Sequence, residues 1–416
     1  MDKSFYIGNR RALYDRIPGD ALIVSFAGEA LRRTADAYHA FFANRNFAYL
    51  TGVGLSNAQR FVFLAEKKGE TVTETLFILP PDAHLERWNG RRVKADEARA
   101  LSGIESIAWV DDFAFRFHKA AASGQYEHLY LDIDRLKPGD PENDADRFAA
   151  KSAKEYPFMT IRNLLPHLRA MRTIKKPCEI EAMRKAMTIT REGILDMMRG
   201  VRPGMAEYEL KAIYDAALTR NGVITPAFPP IISSGQNNFC IHYDAYTGTV
   251  NDGDMVLNDV GAIWDNECND VSRGWPVNGK FSREQELLYT CAWNTSQYMF
   301  SIIKPGMPMA DVDLTARKYN FEQLKAIGLV KDYEEIGRYM WHGGAHHVGF
   351  DVHDVVDMTR PVAAGMVFCV DIGIYNEDWG IGFRLEDNCL VTETGCVNLS
   401  ESIPRSIADI EASMKK

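Results

Sequence analysis

The chain has 416 residues, of which 46% are hydrophobic, and its 48 Lys and Arg against 57 Asp and Glu give a formal net charge of −9. Because this length exceeds what one hydrophobic core usually supports, we expect two domains, 1–170 and 171–416. The charge is spread without a basic stripe, which argues against nucleic acid as a partner. No run approaches about 18 continuous apolar residues, which argues against a membrane.

Strand-like and helix-like segments alternate over the first part of the chain, which is typical of an α/β domain. Apolar runs bounded by turn residues predict strands at 21–26, 47–53, 60–66, 73–80, 106–112 and 128–134. Helical patterns lie between several of these runs. We therefore expect an α/β fold for the N-terminal domain.

A long helix is predicted where the second domain begins. Pro177 suits the first helical turn, and apolar residues recur at helical spacing from Ile180 to Met198. Gly200 ends the pattern. The methionines of this segment are expected to pack in the core, because flexible thioether side chains are common fillers of irregular interior space.

After this helix the chain repeats itself. The related pairs are "VRPGMAEYEL" (201–210) with "IKPGMPMADV" (303–312), and "GDMVLNDVG" (253–261) with "AGMVFCVDIG" (364–373). In the second pair, the distance from Gly253 to Asp259 equals the distance from Gly365 to Asp371. This ordered recurrence predicts two related α+β halves packed face to face, with the two aspartates at equivalent places.

A second acid, Asp270, follows Asp259 across a predicted hairpin turn at Asp265–Asn266. Pairing Trp264 with Glu267 places the two acids on one face as diagonal neighbours, roughly 7–8 Å apart at Cα. Two unpaired carboxylates this close repel each other, and each costs several kcal/mol to remove from water. A cation between them would relieve both penalties.

Further metal-ligand types lie downstream. Asp371 stands in an apolar strand, Glu386 follows in "GFRLEDN", and "MWHGGAHHVGFDVHD" carries His342, His346, His347 and His353. Four acids with at least one histidine predict two divalent ions, bridged by carboxylates, that hold a bridging hydroxide and polarise a carbonyl. Oxygen-rich ligation with one imidazole favours Mn²⁺, with Co²⁺, Fe²⁺ or Zn²⁺ as alternatives.

Each of these residues has a simpler interpretation when it is taken alone. Asp259 could be a strand-end acid, Glu386 could pair with Arg384, and His346 could be a hydrogen-bonded interior histidine. Only some of the clustered histidines can reach one centre. The combination of acids, spacing and internal repeat is what indicates a metal centre.

At this point a family resemblance is evident. The blocks "LNDVG", "NDVSRGWPVNGKF", "HHVGFDVHDV", "GMVFCVDIGIY" and "GFRLEDNCLVTETG" resemble successive signature blocks of aminopeptidase P, a family of dinuclear-metal peptidases. "RTADAYHAFFANRNFAYLTGV" and "ERWNGRR" extend the resemblance into the first domain. It implies a creatinase/aminopeptidase P type α/β N-terminal domain, and an α+β pita-bread catalytic domain with an internal pseudo-twofold repeat.

The resemblance also implies roles for individual residues. The implied metal ligands are Asp259, Asp270, His346, Asp371 and Glu386, with Asp270 and Glu386 bridging. His242 and His353 would bind substrate and stabilise the tetrahedral intermediate, and Arg384 would orient substrate or the last ligand. His342 and Tyr375 fit supporting positions. Trp88 would belong to a segment that reaches a neighbouring subunit in oligomeric relatives.

Two positions depart from the family pattern. The family usually has Glu followed by Pro-Gly where this chain has Asp371, Ile372 and Gly373. Aspartate is one carbon shorter, a loss of about 1.5 Å of reach. His347 stands where relatives often carry an apolar or aromatic residue. The shorter acid could weaken one metal position unless the strand lies closer to the ions.

The expected function is metal-dependent hydrolysis of the N-terminal Xaa-Pro bond of peptides with proline second. Alternatives are an Xaa-Pro dipeptidase, a metal-free C–N hydrolase of the creatinase type, and a catalytically silent peptide-binding module. Seven cysteines without paired C-x-x-C spacing suggest free thiols and a cytoplasmic protein. Relatives are commonly dimers or tetramers, so a homodimer or homotetramer is expected.

Overall fold

The computed structural model describes residues 1–54 and 58–415. Two compact units divide the chain, Met1–Met171 and Arg172–Lys416. In the described part of the chain, no helix is long and apolar enough to cross a lipid bilayer. The second unit carries all the acids and histidines that the sequence singles out as candidate metal ligands.

The first unit mixes helices and strands. Its helices are α1 (Lys3–Tyr14), α2 (Arg45–Thr51), α3 (Ala83–Asn89), α4 (Ala95–Ser102), α5 (Phe113–Ala122), α6 (Asp144–Glu155) and α7 (Leu165–Arg172). Its strands are β1 (Ala21–Phe26), β2 (Val62–Lys68), β3 (Thr71–Ile78), β4 (Ser106–Trp109), β5 (His128–Leu131) and β6 (Thr160–Asn163). The α/β fold expected for this domain is confirmed.

These six strands form one sheet in the order β4-β3-β2-β1-β5-β6. The central strands β1, β2 and β3 pair antiparallel, whereas β1–β5, β5–β6 and β3–β4 pair parallel. Aromatic side chains of α5, including Phe113 and Phe117, cover one face of the sheet and pack with Leu22, Val24 and Leu64. Burial of this apolar face is what orders the unit.

The strand predicted at 47–53 is wrong, because this segment lies in helix α2. The Asn44 side chain accepts a hydrogen bond from the Phe47 amide, which begins the helix. Gly52 then ends it in the left-handed conformation, with φ of 72°. All of Arg45–Thr51 is buried, so the helix has no exposed face and its apolar run resembles that of a buried strand.

The second unit contains two helix pairs and small antiparallel sheets. Its helices are α8 (Pro177–Gly200), α9 (Glu207–Arg220), α10 (Arg283–Ile302), α11 (Met309–Ala326) and α12 (Ile407–Met414). Its strands are β7 (Ile231–Ser234), β8 (Met255–Val260), β9 (Ile263–Trp264), β10 (Glu267–Cys268), β11 (Val271–Pro276), β12 (Val367–Asn376), β13 (Ile381–Val391) and β14 (Cys396–Asn398). Sheets β11-β8-β7 and β12-β13-β14 each accompany one helix pair, α8–α9 and α10–α11 respectively.

The internal repeat predicted from the sequence is confirmed in the backbone. The turns after α8 and α10 both contain a left-handed glycine, Gly204 with φ of 87° and Gly306 with φ of 90°. The Gly204 amide donates to the Val250 carbonyl, and the Gly306 amide donates to the Val362 carbonyl, both at 2.8 Å. Each half then continues into the strand that carries its aspartate.

The hairpin predicted around Asp265–Asn266 forms with the expected register. Trp264 pairs with Glu267, and the same register continues to the pairing of Asp259 with Ser272. Both turn residues have positive φ, 49° and 73°, as a two-residue hairpin turn of this kind requires. The ladder is interrupted around Gly261, where a Cβ atom would collide with the Asn269 carbonyl oxygen.

Candidate metal centre

The first pair of acids lies on the β8–β11 hairpin. Asp259 is on β8 opposite Ser272, and Asp270 directly precedes β11, so the two acids are diagonal neighbours on one face. Both side chains are buried. Among the residues that the structure describes, Oδ1 of each acid has no hydrogen-bond partner. Two buried carboxylate oxygens are therefore left for a ligand.

The second pair of acids lies on the β12–β13 hairpin. Asp371 and Glu386 are directly opposed in the ladder and buried, so their carboxylates share one face. Oδ1 of Asp371 is also buried without a hydrogen-bond partner in the described residues. Strand β13 contacts both β8 and β11, which brings the two hairpins together. The four acids thus come from four strand segments of one unit.

His346 connects these two acid pairs. Its Nε2 atom lies 3.2 Å from Oε1 of Glu386 and 3.5 Å from Oδ2 of Asp270. Donor atoms of Asp270, His346, Cys369 and Glu386 all lie within 4.8 Å of one another. This spacing is compact enough for one cation to contact several donors at once.

The electrostatics of the protein groups favour a bound cation. Burial, together with Glu386 and Asp259, raises the pKa of Asp270 well above its usual value. Burial and Asp371 likewise raise the pKa of Glu386, against the opposing effect of His346. Burial and mutual repulsion thus disfavour the ionised form of both carboxylates, and a divalent ion would stabilise it.

A chain of hydrogen bonds connects Asp371 with Asp259 through His342, Tyr375 and Arg384. His342 Nδ1 lies 3.1 Å from Oδ2 of Asp371, and its Nε2 lies 3.0 Å from the Tyr375 hydroxyl. Arg384 donates to that hydroxyl at 2.9 Å and to Oδ2 of Asp259 at 2.8 Å. Each aspartate is therefore held through one oxygen, while its other oxygen has no partner in the described part of the chain.

This network also sets the protonation of its members. Burial alone would lower the pKa of His342, but Asp371 outweighs burial and raises it to about 8. Burial would raise the pKa of Asp371, but His342, followed by Arg384 and His346, lowers it. Asp371 is consequently ionised at neutral pH.

His353 and His242 lie at the exposed edge of this cluster. The His353 ring packs against the His346 ring, with centroids 4.3 Å apart. Partial burial, with His346 and His242, lowers the pKa of His353 to about 4, so its ring is neutral at pH 7. His242 follows Ile241, whose carbonyl accepts a hydrogen bond from Arg384 at 3.2 Å. Both histidines keep exposed side chains that a ligand can reach.

The structure separates the remaining histidine from the centre. His347 is buried against Phe368, and burial lowers its pKa to about 4. His347 therefore packs in the interior, whereas His342, His346 and His353 face the acids.

Three residues of the cluster were not found by sequence reasoning. Ser272 donates to Oε2 of Glu386 at 2.8 Å, Asn388 donates to the Asp270 carbonyl at 2.7 Å, and Cys369 lies beside both acids. A signal for each was available, because every one of them stands two residues from an acid on the same strand and hence on the same face.

The donor set fits divalent metal ions. Three buried aspartate oxygens lack partners among the described residues, and the His346 imidazole lies 3.5 Å from Asp270 and 3.2 Å from Glu386. Carboxylate oxygens with a histidine nitrogen are suitable ligands for Mn²⁺, Co²⁺, Fe²⁺ and Zn²⁺. The arrangement can hold positive charge next to an ionised carboxylate, Asp371, and two exposed histidines.

Comparison with known families and proteins agrees with this geometry. The family description "Metallopeptidase family M24" matches residues 181–393, and "Aminopeptidase P, N-terminal domain" matches residues 6–130. The Xaa-Pro aminopeptidase of Haemophilus influenzae is 29% identical over 430 residues, which cover 99% of this chain and 97% of that protein. The Xaa-Pro aminopeptidase of Escherichia coli is 29% identical over 438 residues, covering 97% and 96%.

Solved structures are similar over the whole length. A Bacillus anthracis protein assigned as an aminopeptidase P superposes with a TM-score of 0.96 at 36% identity, covering 100% of this chain and 98% of that one. The Escherichia coli aminopeptidase P structure with the inhibitor Pro-Leu superposes with a TM-score of 0.90 at 27% identity, with the same coverage.

Proposed function

The chain belongs to metallopeptidase family M24 and is a metal-dependent Xaa-Pro aminopeptidase of the aminopeptidase P type, and we propose that the cluster of four acids and His346 is its metal centre. The observation that carries this proposal is the cluster itself: Asp371 opposes Glu386 in the ladder, His346 lies between Glu386 and Asp270, and Oδ1 of Asp259, Asp270 and Asp371 has no partner among the described residues. The two matched domains, proposed as 1–170 and 171–416, would then supply the N-terminal and catalytic parts.

Two divalent ions would be held by Asp259, Asp270, His346, Asp371 and Glu386, with Asp270 and Glu386 bridging. Four carboxylates around a single ion would leave excess negative charge, whereas two ions balance it. Mn²⁺ is the ion that the oxygen-rich part of this set suits best. When bound, such ions acidify a water molecule and polarise the carbonyl of the scissile bond.

The side chains around the ions would complete the reaction. Asp371 is ionised, and it would accept the proton of the attacking water and later deliver it to the proline nitrogen as the C–N bond breaks. The neutral His353 and the neighbouring His242 donate hydrogen bonds to the oxyanion that develops on the carbonyl. Arg384 acts by fixing Asp259.

The proposal is tested with purified, chelator-treated protein to which Mn²⁺ is returned. We expect release of the N-terminal residue from an Xaa-Pro tripeptide, and no release from the same tripeptide with alanine second. Turnover of the Xaa-Pro dipeptide alone would indicate a dipeptidase instead. Absence of turnover with Mn²⁺, Co²⁺, Fe²⁺ and Zn²⁺ would contradict the catalytic proposal and favour a peptide-binding module.

Gly373 offers a test of the role of His342. A Cβ atom at this position would collide with Nε2 of His342 and lie 2.9 Å from a ring carbon of Tyr375. We expect Gly373→Ala to displace His342 from Asp371 and to lower kcat/KM by about 10²-fold, as small misplacements of catalytic groups do. Gly337→Ala, where a Cβ meets nothing within 4 Å, is the matched control. Equal kinetics of the two variants would remove His342 from the mechanism.

We also propose a homodimer or homotetramer that works in the cytoplasm. Helix α3 has no buried residue, and its Trp88 is 77% exposed, a large apolar surface for a monomer to present to water. All seven cysteines are free thiols, as suits a reducing compartment. Light scattering of wild type and Trp88→Ser measures the assembly; a monomeric wild type would contradict the proposal.

A further inference from the structure

The cluster contains one donor that the proposed ligand set leaves out, the thiol of Cys369. This residue lies on β12 two positions before Asp371, so its side chain projects from the same face of the strand. Cys369 is 0% exposed. Its Sγ atom stands within 4.8 Å of donor atoms of Asp270, His346 and Glu386. The sulfur thus lies inside the same compact group of ligating atoms.

Hydrogen bonds fix Cys369 relative to two of these residues. Asn388, its partner across the β12–β13 ladder, donates through Nδ2 to Sγ at 3.2 Å and to the Asp270 carbonyl at 2.7 Å. The backbone amide of Cys369 donates to the His346 carbonyl at 2.7 Å. The thiol, the acid and the imidazole are therefore held as one rigid unit.

A second, independent feature of the cluster points to a ligand at this place. Asp270 is buried, and its Oδ1 atom has no hydrogen-bond partner in the parts of the chain that are described. Its other oxygen lies 3.5 Å from the same His346 nitrogen that faces Glu386. The nitrogen of His346, carboxylate oxygens of Asp270 and Glu386 and the sulfur of Cys369 consequently lie close enough together to surround one ion.

We infer that Cys369 binds, as a thiolate, the divalent ion held by Asp270, His346 and Glu386. This inference rests on the proposed metal centre and adds a sulfur ligand to it. On binding, the S–H bond breaks, a sulfur–metal bond forms, and the proton leaves to solvent without any change of oxidation state. Asp371 is one carbon shorter than the glutamate usual in the family and extends less far toward the ions. The thiol supplies an extra donor on the same face of this strand.

A sulfur ligand has a consequence for metal selectivity. Thiolate is a soft donor that favours Zn²⁺ and Co²⁺, whereas an all-oxygen and imidazole set suits Mn²⁺. The position next to Cys369 would therefore prefer Zn²⁺ more strongly than a position held by carboxylates alone. The two positions of the centre become chemically unequal.

The first test is zinc X-ray absorption on the full chain after removal of metal and reloading with Zn²⁺. We expect a sulfur neighbour at about 2.3 Å beside oxygen and nitrogen neighbours at about 2.0–2.2 Å. The sulfur contribution should vanish in Cys369→Ser and Cys369→Thr, and persist in Cys178→Ser, a half-buried thiol on α8. The wild-type spectrum alone decides the question if a variant fails to fold.

Metal competition supplies a second readout. With Zn²⁺ and Mn²⁺ offered at equal concentration, the bound Zn-to-Mn ratio should fall by about tenfold or more in Cys369→Ser, the usual size of a lost ligand interaction. Two bound ions per chain without a sulfur neighbour would overturn the inference and leave the proposed function standing, with the thiol reduced to a neighbour of Glu386. Protein that binds no ion would overturn both.

Discussion

Asp371→Asn lowers kcat/KM for an Xaa-Pro tripeptide by about 10²–10⁴-fold, the range associated with the loss of a general base. Asparagine keeps the size of the side chain but can neither accept the proton of the attacking water nor form an ion pair with His342, 3.1 Å away. Steady-state kinetics together with ion content by mass spectrometry measures the effect.

Two controls separate this role from general damage. Asp371→Glu keeps the carboxylate and restores the side-chain length usual in the family, so it should remain within about tenfold of wild type. Asp378→Asn changes an exposed acid near the β12–β13 turn and should behave as wild type. An active Asp371→Asn variant with two bound ions would assign the base to another residue.

The largest stability effect is expected at Arg273, which lies behind the metal centre. Arg273 and Asp387 are both 0% exposed and form an ion pair at 2.7 Å. Arg273 also donates to the Glu386 carbonyl at 2.7 Å. Arg273→Met leaves Arg405, 2.8 Å from Asp387, as the remaining arginine partner of this acid. We therefore expect a loss of about 3 kcal/mol of unfolding free energy, the lower end of the cost of breaking a buried pair. Urea titration of metal-free protein measures this loss.

Matched variants identify the cause of that loss. Arg338→Met breaks an exposed pair with Asp378 and should cost no more than about 1 kcal/mol. Arg273→Met together with Arg405→Met should cost more than Arg273→Met alone, because only then does the buried Asp387 lack both of its arginine partners. If Arg338→Met destabilises as much as Arg273→Met, burial of the pair is not the cause.

Asp387 also makes the stability of the fold depend on pH. Burial would raise the pKa of Asp387, but Arg273 and Arg405 outweigh it and lower the pKa. A depressed folded-state pKa stabilises the fold above the unfolded value of about 4, and this contribution is lost as pH falls below that value. Metal-free wild type should therefore lose more stability than Asp387→Asn between neutral pH and pH about 3.

Local patterns in the sequence were sufficient to predict the hairpin, the long helix and the repeat. The Trp264–Glu267 pairing depends only on a two-residue turn, and α8 begins at Pro177 and ends at Gly200 as its capping residues predict. Helix α2 was missed because it is buried on every side, so its apolar run carries no period that separates a helix from a strand.

Contacts between distant segments were beyond the reach of the sequence alone. The ion pair of Arg384 with Asp259 spans 125 residues, and the nearest acid in sequence, Glu386, suggested a different partner. The face of Cys369 follows from strand alternation, but its approach to Asp270 depends on how two hairpins pack. Such distances are set by packing of the whole unit, which no local pattern records.

The register of the β8–β11 hairpin limits which insertions and deletions the sequence can tolerate at its turn. Side chains alternate along β11, so Ser272 faces the acids while Arg273 faces the buried Asp387. Inserting or deleting one residue in the turn at Asp265–Asn266 would exchange these faces, bringing an arginine into the metal centre and taking Asp270 out of it. Lineages that keep the activity can therefore exchange these turn residues for others that adopt positive φ, but they cannot change the number of residues in the turn.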